Sequence, residues 1–146
     1  AVEVAVDTET GQVLLLKSAA CHDVGRAINP AAVEGQIQGG ATQGLGYALM
    51  EDLAVEQGRI RAGSLSEYLI PTAADLPETK AIILESGTGL GPFGAKGIGE
   101  PSLTPAPGAV ANAVANALGV RIRELPLTPD RVLAALDKAR LTAEQE

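Results

Sequence analysis

The stretch from residue 87 to residue 99 constrains this chain more than any other, because it cannot form a helix or a strand. Six of its thirteen residues are glycine and one is proline, a composition that disfavours both regular structures. Helices and strands must therefore lie on either side of it. With 146 residues, the chain is about the length of one domain, residues 1–146. Aromatic residues make up 2% of it against 46% hydrophobic residues, so the core must be built from Ala, Val, Leu and Ile.

The residues before this glycine-rich stretch predict a hairpin followed by a long helix. Apolar and polar residues alternate over residues 1–7, turn residues follow, and an apolar run resumes over residues 12–17, which predicts a β-hairpin. Residues 21–30 are polar and end in proline, which predicts a loop. From residue 31 to about residue 55 the apolar residues recur at helical spacing. Two short strands are predicted after this helix, at residues 59–62 and 66–70.

The later residues complete an α/β (α+β) fold, with a mixed sheet and packed helices. Gly119 follows an Ala- and Val-rich run and suits a left-handed helix cap. Thr128 and Pro129 suit the cap and the first turn of another helix. In order, the predicted elements are a buried strand at 80–85, a helix at 108–118, a short strand at 120–125, a helix from 128 to about 139 and a frayed tail at 141–146.

The charge balance narrows the range of partners. Eleven Lys and Arg against eighteen Asp and Glu give a net charge of -7. This charge repels phosphate backbones and anionic lipids, so neither nucleic acid nor a membrane is expected as a partner. No apolar run approaches the roughly 20 residues needed to span a bilayer, and the cytoplasm is the expected location.

Cysteine and histidine are too few to build a metal site from protein ligands. The chain has one cysteine, Cys21, and one histidine, His22, and adjacent side chains on an extended strand point to opposite faces. A single thiol can neither form an internal disulfide nor supply the four thiolates that an iron–sulfur cluster usually takes. No metal bound by protein side chains alone is expected.

The segment between Gly89 and Gly94 fits the dinucleotide-binding pattern Gly-x-Gly-x-x-Gly and follows a predicted strand. That pattern needs a helix to open immediately, whereas the residues after Gly94 cannot be helical before Ser102. A phosphate loop also needs Ser or Thr after its lysine, and Lys96 is followed by Gly97. A small nucleotide-binding module that uses this segment remains an alternative reading.

A single carboxylate, Glu100, stands where the glycine-rich stretch ends and directly before Pro101. The glycines let the backbone pass close to a bulky ligand, and Pro101 stiffens the exit. A carboxylate held beside a ligand in a dry, glycine-walled pocket is suited to act as a general base. The alternative is that Glu100 caps the following helix or solvates the loop.

Gln36, Gly40, Gln43 and Tyr47 fall on one stripe of the predicted long helix. A glutamine side chain donates and accepts hydrogen bonds at once, which suits the mixed edge of a heterocycle. The alternative is a pair of glutamines on a solvated face. Each glycine in a helix interior costs about 1 kcal/mol relative to alanine, so a neighbouring backbone or a ligand is expected to approach closely at Gly39, Gly40, Gly44 and Gly46.

Several blocks, in order along the chain, resemble the molybdopterin-binding subunit of the xanthine dehydrogenase and aldehyde oxidase family. One block opens with Gly35-Gln-Ile-Gln-Gly39 and another ends with Gly97-Ile-Gly-Glu-Pro101. The likeness covers nearly the whole chain and corresponds to the C-terminal portion of that subunit. The matching blocks are residues 23–30, 35–52, 68–72 and 94–101, with 112–119 and 125–129 similar to the subunit's C-terminal end.

The resemblance implies a catalytic role for Glu100. In the family, the Glu of the Gly-x-Gly-Glu-Pro block is the general base. It takes a proton from a molybdenum-bound hydroxyl while an N-heterocycle (purine-like) or aldehyde carbon is hydroxylated. Gln36 matches a glutamine that hydrogen-bonds the pterin, and Gln43 is a further candidate for lining the cofactor cleft. The loop that passes the molybdenum is matched by Lys96, Gly97, Ile98 and Gly99.

The resemblance also implies what lies outside this chain. The family's subunit is several times longer, the dithiolene of the molybdopterin holds the metal, and FAD and [2Fe–2S] groups belong to other subunits or domains. The expected partners are the remainder of the molybdopterin-binding subunit, the FAD and iron–sulfur subunits and a small-molecule substrate. The chain lacks an initiator Met and is expected to be a fragment that by itself binds no cofactor and is inactive. A second alternative for the function of the chain is a non-catalytic assembly piece. The sequence also departs from the family pattern at Ser102, which replaces a proline often found after Glu-Pro.

Overall fold

A three-stranded mixed sheet carries the fold in the computed structural model, which describes residues 1–143. Strand β1 (Val2–Val6) pairs antiparallel with β2 (Val13–Asp23), which confirms the predicted hairpin. Strand β5 (Thr79–Leu84) lies parallel to β2 on its other side, so the order is β1-β2-β5. The mixed α/β architecture is therefore the predicted one.

Three helices accompany the sheet: α1 (Pro30–Leu49), α2 (Pro105–Leu118) and α3 (Pro129–Ala143). Helix α1 packs against α2 and β5, and α2 packs against β1. The core between them is aliphatic, as the composition predicts, because no aromatic side chain belongs to its buried cluster. That cluster consists of Leu15, Leu45, Ala48, Val110, Val114, Leu127 and Val132.

Helix α1 begins as predicted but ends earlier. The Asn29 side chain accepts the N–H of Ala32 at 3.1 Å, and Pro30 occupies the first turn. The prediction that this helix reaches residue 55 is wrong, because the N–H groups of Met50 and Glu51 both bond the Gly46 carbonyl at 2.9 Å and end it. The chain then forms a small hairpin from β3 (Val55–Glu56) and β4 (Arg59–Ile60).

Three other predictions of local structure are wrong where tertiary partners decide the outcome. Residues 21–23 belong to β2 rather than to a loop, because they pair in register with residues 82–84 of β5. Residues 66–70 form the end of a turn followed by irregular chain instead of a strand, with the N–H of Tyr68 bonded to the Ser64 carbonyl at 2.9 Å. Residues 120–125 are irregular, because neither sheet among residues 1–143 offers them a partner strand.

The helix ends differ from the predicted ones by a few residues. Helix α2 starts at Pro105 instead of residue 108, since proline is tolerated in a first turn. It ends at Gly119, whose φ of 69° confirms the left-handed cap. Helix α3 includes Leu141, which was expected in a frayed tail, and the rest of that predicted tail from residue 144 lies outside the described residues. No helix within residues 1–143 has both the length and the apolar character needed to cross a bilayer.

The glycine-rich stretch contains one 3-10 turn, Pro92–Gly94, and otherwise lacks regular structure, as predicted. It folds back onto the end of β2, where the N–H of Lys96 donates to the Val24 carbonyl at 2.8 Å. The Lys96 ammonium also pairs with the Asp23 carboxylate, and this partner holds the pKa of Asp23 well below its usual range. These contacts attach the stretch to the sheet just before α1 begins.

The Tyr68 hydroxyl should titrate at unusually high pH. It donates to the Glu51 carboxylate at 2.6 Å, and this hydrogen bond, helped by burial, raises the pKa of Tyr68 from 10.0 to about 12. Because the folded value lies above the unfolded one, the contact stabilises the chain fully below about pH 10 and is lost as the pH approaches 12. A near-ultraviolet titration should show this transition disappear in Tyr68→Phe and move toward pH 10 in Glu51→Gln. The contact would be contradicted if the transition that Tyr68→Phe removes already lay near pH 10 in the wild-type chain.

Candidate functional site

An open groove of about 620 Å³ runs between helix α1 and the short 3-10 turn Glu100–Ser102 that leads into α2. One wall comes from α1 and the other from the end of the glycine-rich stretch and the residues after it. Residues from distant parts of the chain therefore face one another across this groove. Its lining residues are Gln36, Gly39, Gly40, Gln43, Tyr47, Gly99, Glu100, Leu103 and Thr104.

The α1 wall confirms the stripe predicted from helical spacing, since Gln36, Gly40, Gln43 and Tyr47 all line the groove. The Gln43 amide donates to the Tyr47 hydroxyl at 2.8 Å. The Gln36 amide nitrogen lies 3.8 Å from the place where a Cβ on Gly99 would sit. Both glutamines are exposed, so their amide groups are available to a molecule in the groove.

The glycines of α1 are explained by close packing at most positions. A Cβ on Gly40 would overlap the Ser102 hydroxyl, and one on Gly44 would lie 2.6 Å from the Cβ of Ala106. At Gly46 the neighbours are Glu51 and Pro71. Gly35 and Gly39 differ, because a Cβ on either would meet nothing within 4 Å. For Gly39, which lines the groove, a close ligand remains a prediction.

Glu100 lies on the opposite wall, at the start of the 3-10 turn. Its backbone carbonyl accepts the N–H of Leu103 at 3.0 Å and the hydroxyl of Thr104 at 3.2 Å. Its carboxylate makes no hydrogen bond or ion pair with residues 1–143. The expectation of a dry pocket around Glu100 is wrong for this chain, because the groove is open and the residue is exposed.

The other predicted loop residues divide into two groups. Gly99 lines the groove, whereas Lys96, Gly97 and Ile98 do not. Lys96 is turned toward Asp23 and the end of β2, with its ammonium 3.3 Å from the Ser86 hydroxyl. In this structure, Lys96 therefore serves to attach the loop, and the residues brought together across the groove are Gln36, Gln43, Gly99 and Glu100.

Sequence reasoning missed Ser102 as a part of the site. Its side chain is 1% exposed, and its hydroxyl donates to the Gly99 carbonyl at 2.8 Å. The hydroxyl also lies against Gly40 of α1, so Ser102 joins the two walls behind the groove. Gly40 was the available signal, because a helix glycine without a side chain implies a close neighbour, but the sequence does not name that neighbour.

The nucleotide-binding alternative finds no support in the geometry of residues 89–94. The N–H of Gly89 donates to the Gly94 carbonyl at 3.0 Å, and that of Gly91 donates to the Ala95 carbonyl at 3.1 Å. These donors are used within the loop itself, whereas a phosphate loop presents them to its ligand. No α-helix follows Gly94 until α2 begins at Pro105.

The groove offers amides and bare backbone to a cofactor. Across the part of the chain that the structure describes, no three His, Cys, Asp or Glu side chains come together to hold a metal ion. The donor set fits instead the edge of a planar heterocycle, since amides donate and accept and the two glycines, Gly39 and Gly99, leave room for close approach. This suits a cofactor that carries its own metal ligands.

Comparison with known proteins identifies the family. The model of the molybdopterin cofactor-binding domain matches residues 1–77, and the chain belongs to this family. It is 37% identical over 133 residues to a putative xanthine dehydrogenase molybdenum-binding subunit of Escherichia coli strain K12, covering 90% of this chain and 18% of that protein. It is 39% identical over 138 residues to the aldehyde oxidoreductase molybdenum-binding subunit of the same strain, covering 92% and 19%.

A solved structure supports the fold. Quinoline 2-oxidoreductase from Pseudomonas putida 86 superposes with a TM-score of 0.86 at 37% sequence identity, covering 92% of this chain and 18% of that one. The chain thus spans about a fifth of the length of the relatives it matches. These relatives are molybdenum-binding subunits of a xanthine dehydrogenase and of an aldehyde oxidoreductase.

Proposed function

We propose that this chain forms one side of the cofactor cleft in a molybdenum hydroxylase and that Glu100 is the general base of the reaction. One observation carries the proposal: Gln36, Gln43 and Glu100 line a single groove although they come from different elements. Two walls of different chemistry face each other there. The helix presents amides that can bind a heterocycle, and the opposite turn presents one carboxylate.

The α1 wall would hold the cofactor. The Gln36 amide can donate one hydrogen bond and accept another at the mixed edge of a pterin, and Gln43 can extend this edge along the helix. Gly39 and Gly99 leave the cofactor room to lie close to the backbone. When bound, the molybdenum cofactor supplies the oxygen-transfer and electron-accepting chemistry of the hydroxylation.

Glu100 would accept the proton that the reaction releases. Its carboxylate has no partner within residues 1–143, so both oxygens are free to accept the proton released as the attacking oxygen bonds to the substrate carbon. The glutamine variant keeps the shape of the side chain but cannot accept that proton. Glu100→Gln should therefore remove turnover and leave the cofactor in place.

Other parts of the protein would close the groove. Glu100 is exposed here, and a general base works best where water is excluded. Because the chain spans about a fifth of its relatives, we assign this covering role to the remainder of the molybdopterin-binding subunit, with FAD and iron–sulfur subunits as electron-transfer partners. The relatives are named for xanthine, aldehydes and quinoline, so the proposed substrate class is an N-heterocycle or an aldehyde.

Replacing Gln36 with Leu in the complete subunit should weaken cofactor retention by roughly twofold to tenfold, the value of one net hydrogen bond. The matched control is Gln38→Leu, because Gln38 is exposed on the same helix but does not line the groove. Molybdenum and pterin are measured after dialysis. Equal loss from both variants would contradict the proposed cleft, and no effect from either would favour a non-catalytic assembly piece.

A further inference from the structure

We infer that the hydroxyls of Ser102 and Thr104 are positioning groups that hold the backbone of Glu100 and thereby aim its carboxylate into the groove. This inference rests on the proposed role of Glu100 as the general base. Neither hydroxyl hydrogen-bonds the carboxylate itself, because both donate to backbone carbonyls. Each hydroxyl instead binds one of the two peptide units that flank the Cα of Glu100.

The first peptide unit is held by Ser102. The Gly99 carbonyl and the Glu100 N–H belong to one planar peptide group, and the Ser102 hydroxyl donates to that carbonyl at 2.8 Å. Ser102 is 1% exposed, so water does not compete for this hydrogen bond. The bond therefore sets the orientation of the peptide plane that leads into the Cα of Glu100.

The second peptide unit is held from the other side. The Glu100 carbonyl accepts the N–H of Leu103 at 3.0 Å, the N–H of Thr104 at 3.3 Å and the Thr104 hydroxyl at 3.2 Å. Thr104 precedes α2, but its side chain makes no capping hydrogen bond to that helix. Its hydroxyl instead donates to the Glu100 carbonyl. With both flanking planes fixed, the two soft backbone dihedrals of Glu100 have little freedom.

Helix α1 supports this arrangement through Gly40. The Ser102 hydroxyl lies where a side chain on residue 40 would begin, so the helix backbone itself presses against it. The same helix carries Gln36 and Gln43 into the groove. Ser102 thus ties the position of the carboxylate to the helix that presents the amides, and the distance between the two walls is set by this packing.

The test is a double-mutant cycle in the complete holoenzyme. Ser102→Ala should lower kcat roughly twofold to tenfold, the value of one net hydrogen bond, with KM and molybdenum content unchanged. In a Glu100→Gln background, the same change should have no further effect on kcat, since there is no base left to aim. Ser18→Ala, at a buried serine of β2 that does not line the groove, is the control for loss of a buried hydroxyl and should leave kcat unchanged.

Thr104→Val keeps the inference testable if Ser102→Ala does not fold, because Thr104 is exposed and valine has the same shape. Thr104→Val should lower kcat when Glu100 is present and have no further effect in the Glu100→Gln background. The inference is overturned if either variant leaves kcat unchanged, or lowers it by the same factor in the Glu100→Gln background, or lowers it in proportion to lost molybdenum. Unchanged turnover in Glu100→Gln by itself would instead overturn the proposed base.

Discussion

Glu100→Gln in the complete enzyme is expected to lower kcat by about 10²- to 10⁴-fold, the usual contribution of a general base. The amide has the size of the carboxylate and would occupy the same place at the start of the 3-10 turn, but it cannot accept a proton. Because the carboxylate makes no hydrogen bond or ion pair with residues 1–143, its replacement should disturb no hydrogen bond of the fold. Molybdenum and pterin content should therefore match those of the wild-type enzyme.

Steady-state turnover, normalised to molybdenum content, measures this effect. Glu9→Gln is the matched control, since Glu9 is an exposed carboxylate in the turn between β1 and β2, does not line the groove and should leave kcat unchanged. A Glu100→Gln enzyme that retains a fifth or more of wild-type turnover would rule out the proposed base. Loss of molybdenum in that variant would point instead to a binding role for the carboxylate.

Alanine at two adjacent glycines of α1 should have opposite effects on stability. At Gly40 the new methyl group would overlap the buried Ser102 hydroxyl, and overpacking of this kind costs about 1–3 kcal/mol. At Gly39 a methyl group meets nothing within 4 Å, so replacement of a helix glycine should stabilise the chain by up to about 1 kcal/mol. Urea unfolding followed by circular dichroism gives both free energies.

The same pair also separates packing from ligand binding. Gly39 lines the groove, so on the proposed function Gly39→Ala should yield a more stable chain whose complete subunit retains less cofactor. Stabilisation of Gly40→Ala would show that Ser102 does not press on the helix. Full cofactor retention in Gly39→Ala would show that no ligand comes close to this part of the groove.

Features that depend on neighbours along the chain were predictable from the sequence. The hairpin followed from alternation and turn residues, the start of α1 from the helical spacing of apolar residues after Pro30, and the left-handed end of α2 from Gly119. The stripe with Gln36 and Gln43 followed from helical spacing, because a helix converts spacing directly into a face. Each of these features depends on residues that are close together in the sequence.

Features that depend on distant partners were not predictable. The extension of β2 to Asp23 needs β5 beside it, and the irregular course of residues 120–125 reflects the lack of such a partner. The open setting of Glu100 likewise depends on which other segments cover it. The sequence around Ser102 did not predict that this side chain is buried. Its burial depends on contact with Gly40 of α1, which is distant in the chain.

The sequence by itself thus determined the first hairpin, the presence of three helices, the amide-bearing face and the carboxylate that follows the glycine-rich stretch, because these depend on local spacing and backbone stereochemistry. Only the tertiary structure decided that the face and the carboxylate share one groove, that Lys96 turns away from it to Asp23, and that Ser102 holds the two walls together. The physical reason is that such contacts join residues far apart in the chain, and their distances are set by the packing of α1 against α2 and the sheet.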